Sequence, residues 1–264
     1  MFLNPHYPIT GNQKRGLAAI AFITVLVIWS VLTYGGFVGP RKLPSPTDFM
    51  NAFSYLAYNE GQSLLGNAII ASATRIMAAS ILVVSIGVPL GILMGSAPKV
   101  NAFLSPLIDP FRSAPVVALL PLFVMYLGIG EAMKIAFLFA GAVVFVVPMT
   151  RDAMRAVPYS YWEGARDLGG TFYECITKGV LPIAAPRIFD AVIVSTSILW
   201  TYITVAEYVN ADSGLGQLIQ NARRTSAMDQ IFVGIFTIVI LALLTYTGLT
   251  MLRKKLYFWE GTSQ

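Results

Sequence analysis

Charge is what this sequence has least of. Of its 264 residues, 12% are Asp, Glu, Lys or Arg and 56% are hydrophobic. An ordinary soluble domain carries about 25% charged residues. So little charge cannot cover the surface of a soluble domain of this size, and so much apolar content excludes a disordered chain. Cys175 is the one cysteine, which excludes an internal disulfide framework. His6 is the one histidine and lies in the N-terminal tail. A Ser–His hydrolase within the membrane therefore has no base, and a His/Cys metal site lacks ligands. No Gly-Lys pair occurs anywhere, so the P-loop pattern G-x-x-x-x-G-K-[ST] is absent from the chain. What remains is an all-α, polytopic membrane protein.

A bilayer core needs about 20 mostly apolar residues per helix. Six stretches approach this: 17–38, 76–94, 116–129, 135–149, 191–206 and 231–252, with the third and fourth needing neighbouring residues to reach full length. The runs are continuously apolar, whereas barrel strands alternate over about ten residues. Helices, which satisfy their own backbone groups in lipid, are expected. The first stretch follows Lys14 and Arg15 like a signal peptide. It exceeds the usual apolar core, and no A-x-A site follows, so a retained anchor is expected.

Sidedness follows from Lys and Arg. With both termini inside, twelve Lys and Arg fall in inner segments and five in outer ones, setting aside Arg75 at a membrane boundary. This predicts a cytoplasmic tail at 1–16, a membrane domain at 17–252 and a cytoplasmic tail at 253–264. No internal repeat or linker divides the chain. The cluster Arg253, Lys254 and Lys255 sits at the end of a span, where it reads as a topology signal rather than a nucleic-acid site.

Segment 151–187 is too polar to span and too long for a turn. It holds two S/T-x-x-E patterns, Ser160 to Glu163 and Thr171 to Glu174, each fit to make a capping box. Pro158 precedes the first, and Gly169 and Gly170 follow it, where a left-handed residue ends a helix. Gly179 and Pro182 come near the expected end of the second. Two short helices joined by a glycine turn are predicted.

These residues resemble the EAA loop of ABC importer permeases, with the pattern E-A-A-x3-G-x9-I-x-L-P. Glu163, Ala165, Gly169, Leu181 and Pro182 match in spacing, while Gly164 and Gly179 replace an Ala and the Ile. More of the chain resembles the nitrate/sulfonate/taurine/bicarbonate-type permeases: Leu43-Pro44-Ser45-Pro46, Arg75, Gly87-Val88-Pro89-Leu90-Gly91, Ala114-Pro115, Leu120-Pro121, Ala206-Glu207 and Gly214-Leu215-Gly216.

The resemblance implies an inner-membrane permease that forms a dimer and takes solute from an extracytoplasmic substrate-binding protein. Glu163, Gly164, Ala165, Arg166, Gly169, Leu181 and Pro182 would couple it to a cytoplasmic ATPase dimer. ATP–Mg would sit on that partner, and this chain would hold no cofactor and catalyse no reaction. The expected cargo is a small anion such as a sulfonate, taurine, nitrate or bicarbonate.

Several residues carry two readings. Glu163 serves as a cap, a docking contact or both, and Gly169 as a helix terminator or a point of close approach to the ATPase. Arg75 either faces the transport path or snorkels to the outer interface. Glu207 either shapes an outer gate or braces the following loop. Gly87, Gly91 and Gly95, four apart, predict close helix packing within the subunit. The methionines read as apolar filling. Two rival functions stand beside the importer. A secondary transporter or channel would need ion-coupling residues or broken helices near mid-membrane. A non-transporting scaffold would not need the outer Gly214–Gly216 region.

Overall fold

The structure, a computed structural model, describes residues 11–58, 63–209 and 212–260. His6 and the extreme ends of both tails lie outside the described residues.

Helix α1 (Gly11–Tyr34) begins before the apolar run and carries Lys14 and Arg15 on its first turns. It is peripheral: Trp29 stacks on Phe236 with ring centroids 6.3 Å apart and donates from Nε1 to the Pro44 carbonyl at 2.9 Å. The Leu43-Pro44-Ser45-Pro46 motif is a helix start. Ser45 and Asp48 form a reciprocal capping box, and Pro46 opens α2 (Pro46–Ala57) with a backbone angle already suited to a helix.

The second span is one helical run from Leu64 to Ser96, built from α3 (Leu64–Leu82), a π-helical turn (Val83–Gly87) and α4 (Val88–Ser96). The wide turn ends two residues before Pro89. Proline cannot donate its missing N–H, and its ring crowds the preceding turn. A local π turn is one way a helix accommodates such a break in its ladder.

The third stretch departs from the expected span over 116–129. Within it lie only a 3₁₀ turn (Val116–Leu119) and α6 (Leu120–Leu127), and the apolar run extends back through a 3₁₀ turn (Asp109–Arg112) to α5 (Pro98–Ile108). The two halves bend by 96°, giving five clear spans among the described residues, or six if this pair counts as one. Pro106, Pro110, Pro115 and Pro121 punctuate the break. Arg151 anchors it, donating to Asp109 at 2.9 Å and to Ser105 at 3.1 Å.

Helix α7 (Glu131–Arg155) is the buried centre. Gly87, Gly91 and Gly95 lie against Val146, Thr150 and Met154 of α7, so each side chain occupies the space a Cβ would need. This is the packing within the subunit expected from the four-residue spacing. On another face, Gly141 receives the ring of Tyr202, which also meets Phe137 edge-on at 5.9 Å.

Tyr202 belongs to α10 (Leu181–Tyr208), the last part of a continuous 37-residue helical run from Phe172 to Tyr208. The run opens with the single turn α9 (Phe172–Glu174) and a second π-helical turn (Cys175–Val180). Gly179 and Pro182 therefore do not end a short helix, as the sequence suggested. The π turn again ends two residues before a proline, and the helix continues. Helix α11 (Leu215–Arg224) packs beside α12 (Met228–Leu256), the final span.

Candidate functional site

Two regions stand out, at opposite ends of α7 and α10. The first is the hairpin between them. Helix α7 stops at Arg155, and α8 (Tyr159–Asp167) starts directly after Pro158. The expected Ser160–Glu163 capping box does not form. Pro158 takes the cap position with φ −56° and no side-chain bond, which places Ser160 inside the first turn. A proline disfavours helix in the residue before it, so the helix begins just past the ring.

The end of α8 follows the sequence closely. Gly169 adopts φ +82° and donates to the Arg166 carbonyl at 2.9 Å, while Gly170 donates to the Ala165 carbonyl at 3.1 Å. This pair of bonds is a Schellman ending. Thr171 and Glu174 then make the second expected capping box, and Lys178 holds Glu174 at 2.9 Å. Trp162 meets Phe172 edge-on at 5.4 Å. At Gly179, a Cβ would press on the Ala165 Cβ at 3.0 Å and on the Tyr161 carbonyl at 3.2 Å. The missing Ile of the pattern thus lets α8 lie close on the π turn. Leu181 packs with Met154, Ala184 and Ile188 in a small apolar cluster beneath the hairpin.

Among the seven residues expected to couple to an ATPase, Ala165 and Leu181 are half-buried. Glu163, Gly164, Arg166, Gly169 and Pro182 are exposed. Glu163 and Arg166 form no ion pair among the described residues. The rim is apolar and aromatic: Leu168 is 90% exposed, and Tyr159, Phe172 and Tyr173 are also bare. The hairpin is locked at its base and exposed at its tip.

The second region is a buried polar cluster at the other end of the same helices. Glu207, in the last turn of α10, has a side chain 0% exposed. It accepts from Ser72 Oγ at 2.8 Å, Arg75 Nη1 at 2.7 Å and the Gly216 amide at 2.7 Å. Ser72 Oγ also accepts from the Leu215 amide at 2.9 Å. Helix α11 has no side-chain cap of its own, so two of its orphan amides are satisfied by Ser72 and Glu207 from other spans. A carboxylate at a helix N-terminus is also favoured by the helix dipole.

The Gly214-Leu215-Gly216 motif has a steric cause. Gly214 sits at φ +132°, and Cβ atoms at Gly214 and Gly216 would collide with the Glu207 side chain. The glycines seat the carboxylate.

Arg75, 5% exposed, completes the cluster. Its Nε and Nη2 grip Glu131 at 2.6 and 2.7 Å, and its Nη1 also donates to the Ser213 carbonyl at 2.7 Å. Lys134, 2% exposed, donates to Glu131 at 2.8 Å. Arg75 therefore does not snorkel. It ties α3, α7, α10 and the 212–216 loop together, and Glu207 braces that loop. Sequence reasoning paired neither residue and missed Ser72, Glu131 and Lys134. The signal was present as Ser72-x-x-Arg75 and Glu131-x-x-Lys134, two polar pairs at i, i+3 on apolar helices, which place each pair on one face.

Comparison with known proteins gives a consistent result. The family described as "Binding-protein-dependent transport system inner membrane component" matches residues 87–256. The chain is 30% identical to the taurine transport system permease protein TauC of Escherichia coli (strain K12) over 98% of this chain and 94% of that one. It is 30% identical to the putative aliphatic sulfonates transport permease protein SsuC of Bacillus subtilis (strain 168), over 90% of this chain and 85% of that one. Among solved structures, a chain of the MetNI methionine ABC transporter in an inward-facing conformation superposes with TM-score 0.67 at 23% identity, covering 75% of this chain and 98% of that one.

Proposed function

This chain belongs to the family of binding-protein-dependent transport system inner membrane components, and we propose that, as a permease subunit of an ABC importer, it passes a small anion of the sulfonate, taurine, nitrate or bicarbonate kind. Residues 17–252 form the membrane domain, and the segments 1–16, 151–187 and 253–264 face the cytoplasm. The Lys and Arg bias supports that orientation. It places the hairpin inside and the polar cluster outside. The chain works as a dimer, receives its cargo from an extracytoplasmic binding protein and is driven by two cytoplasmic ATPase subunits. ATP–Mg belongs to those subunits.

The observation that carries this reading is the hairpin. A polar segment that builds a Schellman ending and a capping box has fixed its own backbone. It nonetheless leaves Glu163 and Arg166 without an ion-pair partner among the described residues and an aromatic rim exposed. That combination suits a preformed surface that docks on another protein. Closure of the ATPase pair on ATP would move the hairpins, and α7 and α10 would carry the movement across the membrane. Hydrolysis would reverse it. Nucleotide drives the cycle only through its different affinity for the two states.

The test is uptake into proteoliposomes holding the permease with and without its ATPase. Uptake that needs both the ATPase and ATP supports the reading. Uptake by the permease alone would make it a secondary transporter or channel.

A further inference from the structure

Glu131 and Glu207 both pair with Arg75, but they are held differently. Glu207 is fully enclosed, and Ser72, Arg75 and the Gly216 amide point at it. Glu131 stands in the first turn of α7 with its side chain 57% exposed. Displaced into water, it would strand nothing of its own. What it would leave behind is unusual: the guanidinium fork of Arg75 and the ammonium of Lys134, both nearly enclosed and facing one vacated position. A guanidinium fork with a point charge beside it fits the oxygens of a small oxyanion. The formal charges match a single negative charge. Arg75 and Lys134 contribute two positive charges and Glu207 one negative, so one positive charge remains for Glu131 to balance.

We propose that Arg75 and Lys134 form an anion subsite, that the Glu131 carboxylate occupies it in this structure, and that a soluble monovalent oxyanion of the sulfonate class displaces Glu131. The inference rests on the reading of the chain as a small-anion permease and adds a subsite to it. Exchange at this position connects cargo to α7, because Glu131 is the residue on which that helix begins. Glu207 keeps the 212–216 loop seated throughout, since exposing it would unpair a buried charge.

The test is chemical rescue of Glu131→Ala, with the permease assembled with its ATPase in neutral detergent. Ethanesulfonate is the probe. Sodium chloride at equal ionic strength and the uncharged ethyl methyl sulfone are the controls. The thermal unfolding midpoint should fall in the variant and recover saturably with ethanesulfonate, at concentrations at least tenfold below any that shift the wild type. No recovery, or equal recovery with either control, would overturn the proposal. If Glu131→Ala does not accumulate, Glu131→Gln keeps the side-chain volume while removing the charge. Calorimetry should then show ethanesulfonate binding at least tenfold tighter than to wild type, and equal affinity would overturn the proposal. Recovery in anionic-lipid nanodiscs but not with ethanesulfonate would assign the position to a lipid headgroup and also overturn it. ATP-driven uptake by the wild type is measured in parallel. Its absence counts against the cargo reading, whereas the rescue result bears on the subsite alone.

Discussion

Helices α7 and α10 end in opposite chemistry. At one end, charged side chains answer one another, all but Glu131 enclosed, and two glycines leave the room that seats a carboxylate. At the other, aromatic and charged side chains stand bare on a backbone that has satisfied itself. Both ends hold charged groups, but only at one are those groups all answered by one another among the described residues. The contrast separates two kinds of work. A polar group buried with its partners holds spans together. A rigid segment with unanswered side chains presents a surface to something else. Mutations at the two ends should therefore fail differently.

The largest effect is expected at the cluster. Arg75→Met leaves Glu207 enclosed without its cation, and breaking a buried pair from one side costs about 3–5 kcal/mol. The thermal midpoint in detergent should drop sharply, with uptake lost through low accumulation. A normal midpoint would mean that the cluster does not hold the spans together.

The next effect lies between the two ends. Gly91→Ala places a Cβ against Thr150 and the Val147 carbonyl. Overpacking of this kind costs about 1–3 kcal/mol. Thermal unfolding should show that loss, and an unchanged midpoint would mean that α4 and α7 are looser than their packing indicates.

At the hairpin the structural costs shrink. Thr171→Ala removes a cap worth about 1 kcal/mol. Because the cap orders the hairpin and not the membrane core, proteolysis near 171 should respond more than the global midpoint. Gly164→Ala goes the other way. A Cβ there meets nothing within 4 Å, and the helix gains about 0.5–1 kcal/mol. The thermal midpoint should stay at the wild-type value or rise slightly.

Much of this division was legible in the sequence, for local reasons. The Schellman ending at Gly169 and Gly170 and the box at Thr171 and Glu174 depend on near neighbours, so spacing alone predicted them. The packing of Gly87, Gly91 and Gly95 followed from a helical period. Failures came where a proline or a distant partner decides. Pro158 displaced the helix start past the Ser160 box, and Pro182 was absorbed by a π turn rather than ending a helix. The break in the third span carries four prolines and is anchored by Arg151 reaching Asp109, a contact 42 positions apart. The polar cluster was the least legible part. Arg75 and Glu207 lie 132 positions apart, and only the fold brings Ser72, Glu131 and Lys134 to them.

We propose that the exposed tip of the hairpin couples to the ATPase through Glu163 at little cost to the fold, and Glu163→Lys tests this most directly. Glu163 is exposed and unpaired among the described residues, so the substitution should change stability by no more than about 0.5 kcal/mol. Uptake by the assembled importer, measured together with ATPase association and the thermal midpoint, is the decisive measurement. The expected result is a wild-type midpoint with association and ATP-driven uptake both reduced at least tenfold. Full uptake and association at an unchanged midpoint would contradict it, leaving Glu163 an ordinary surface residue and the hairpin without its docking role.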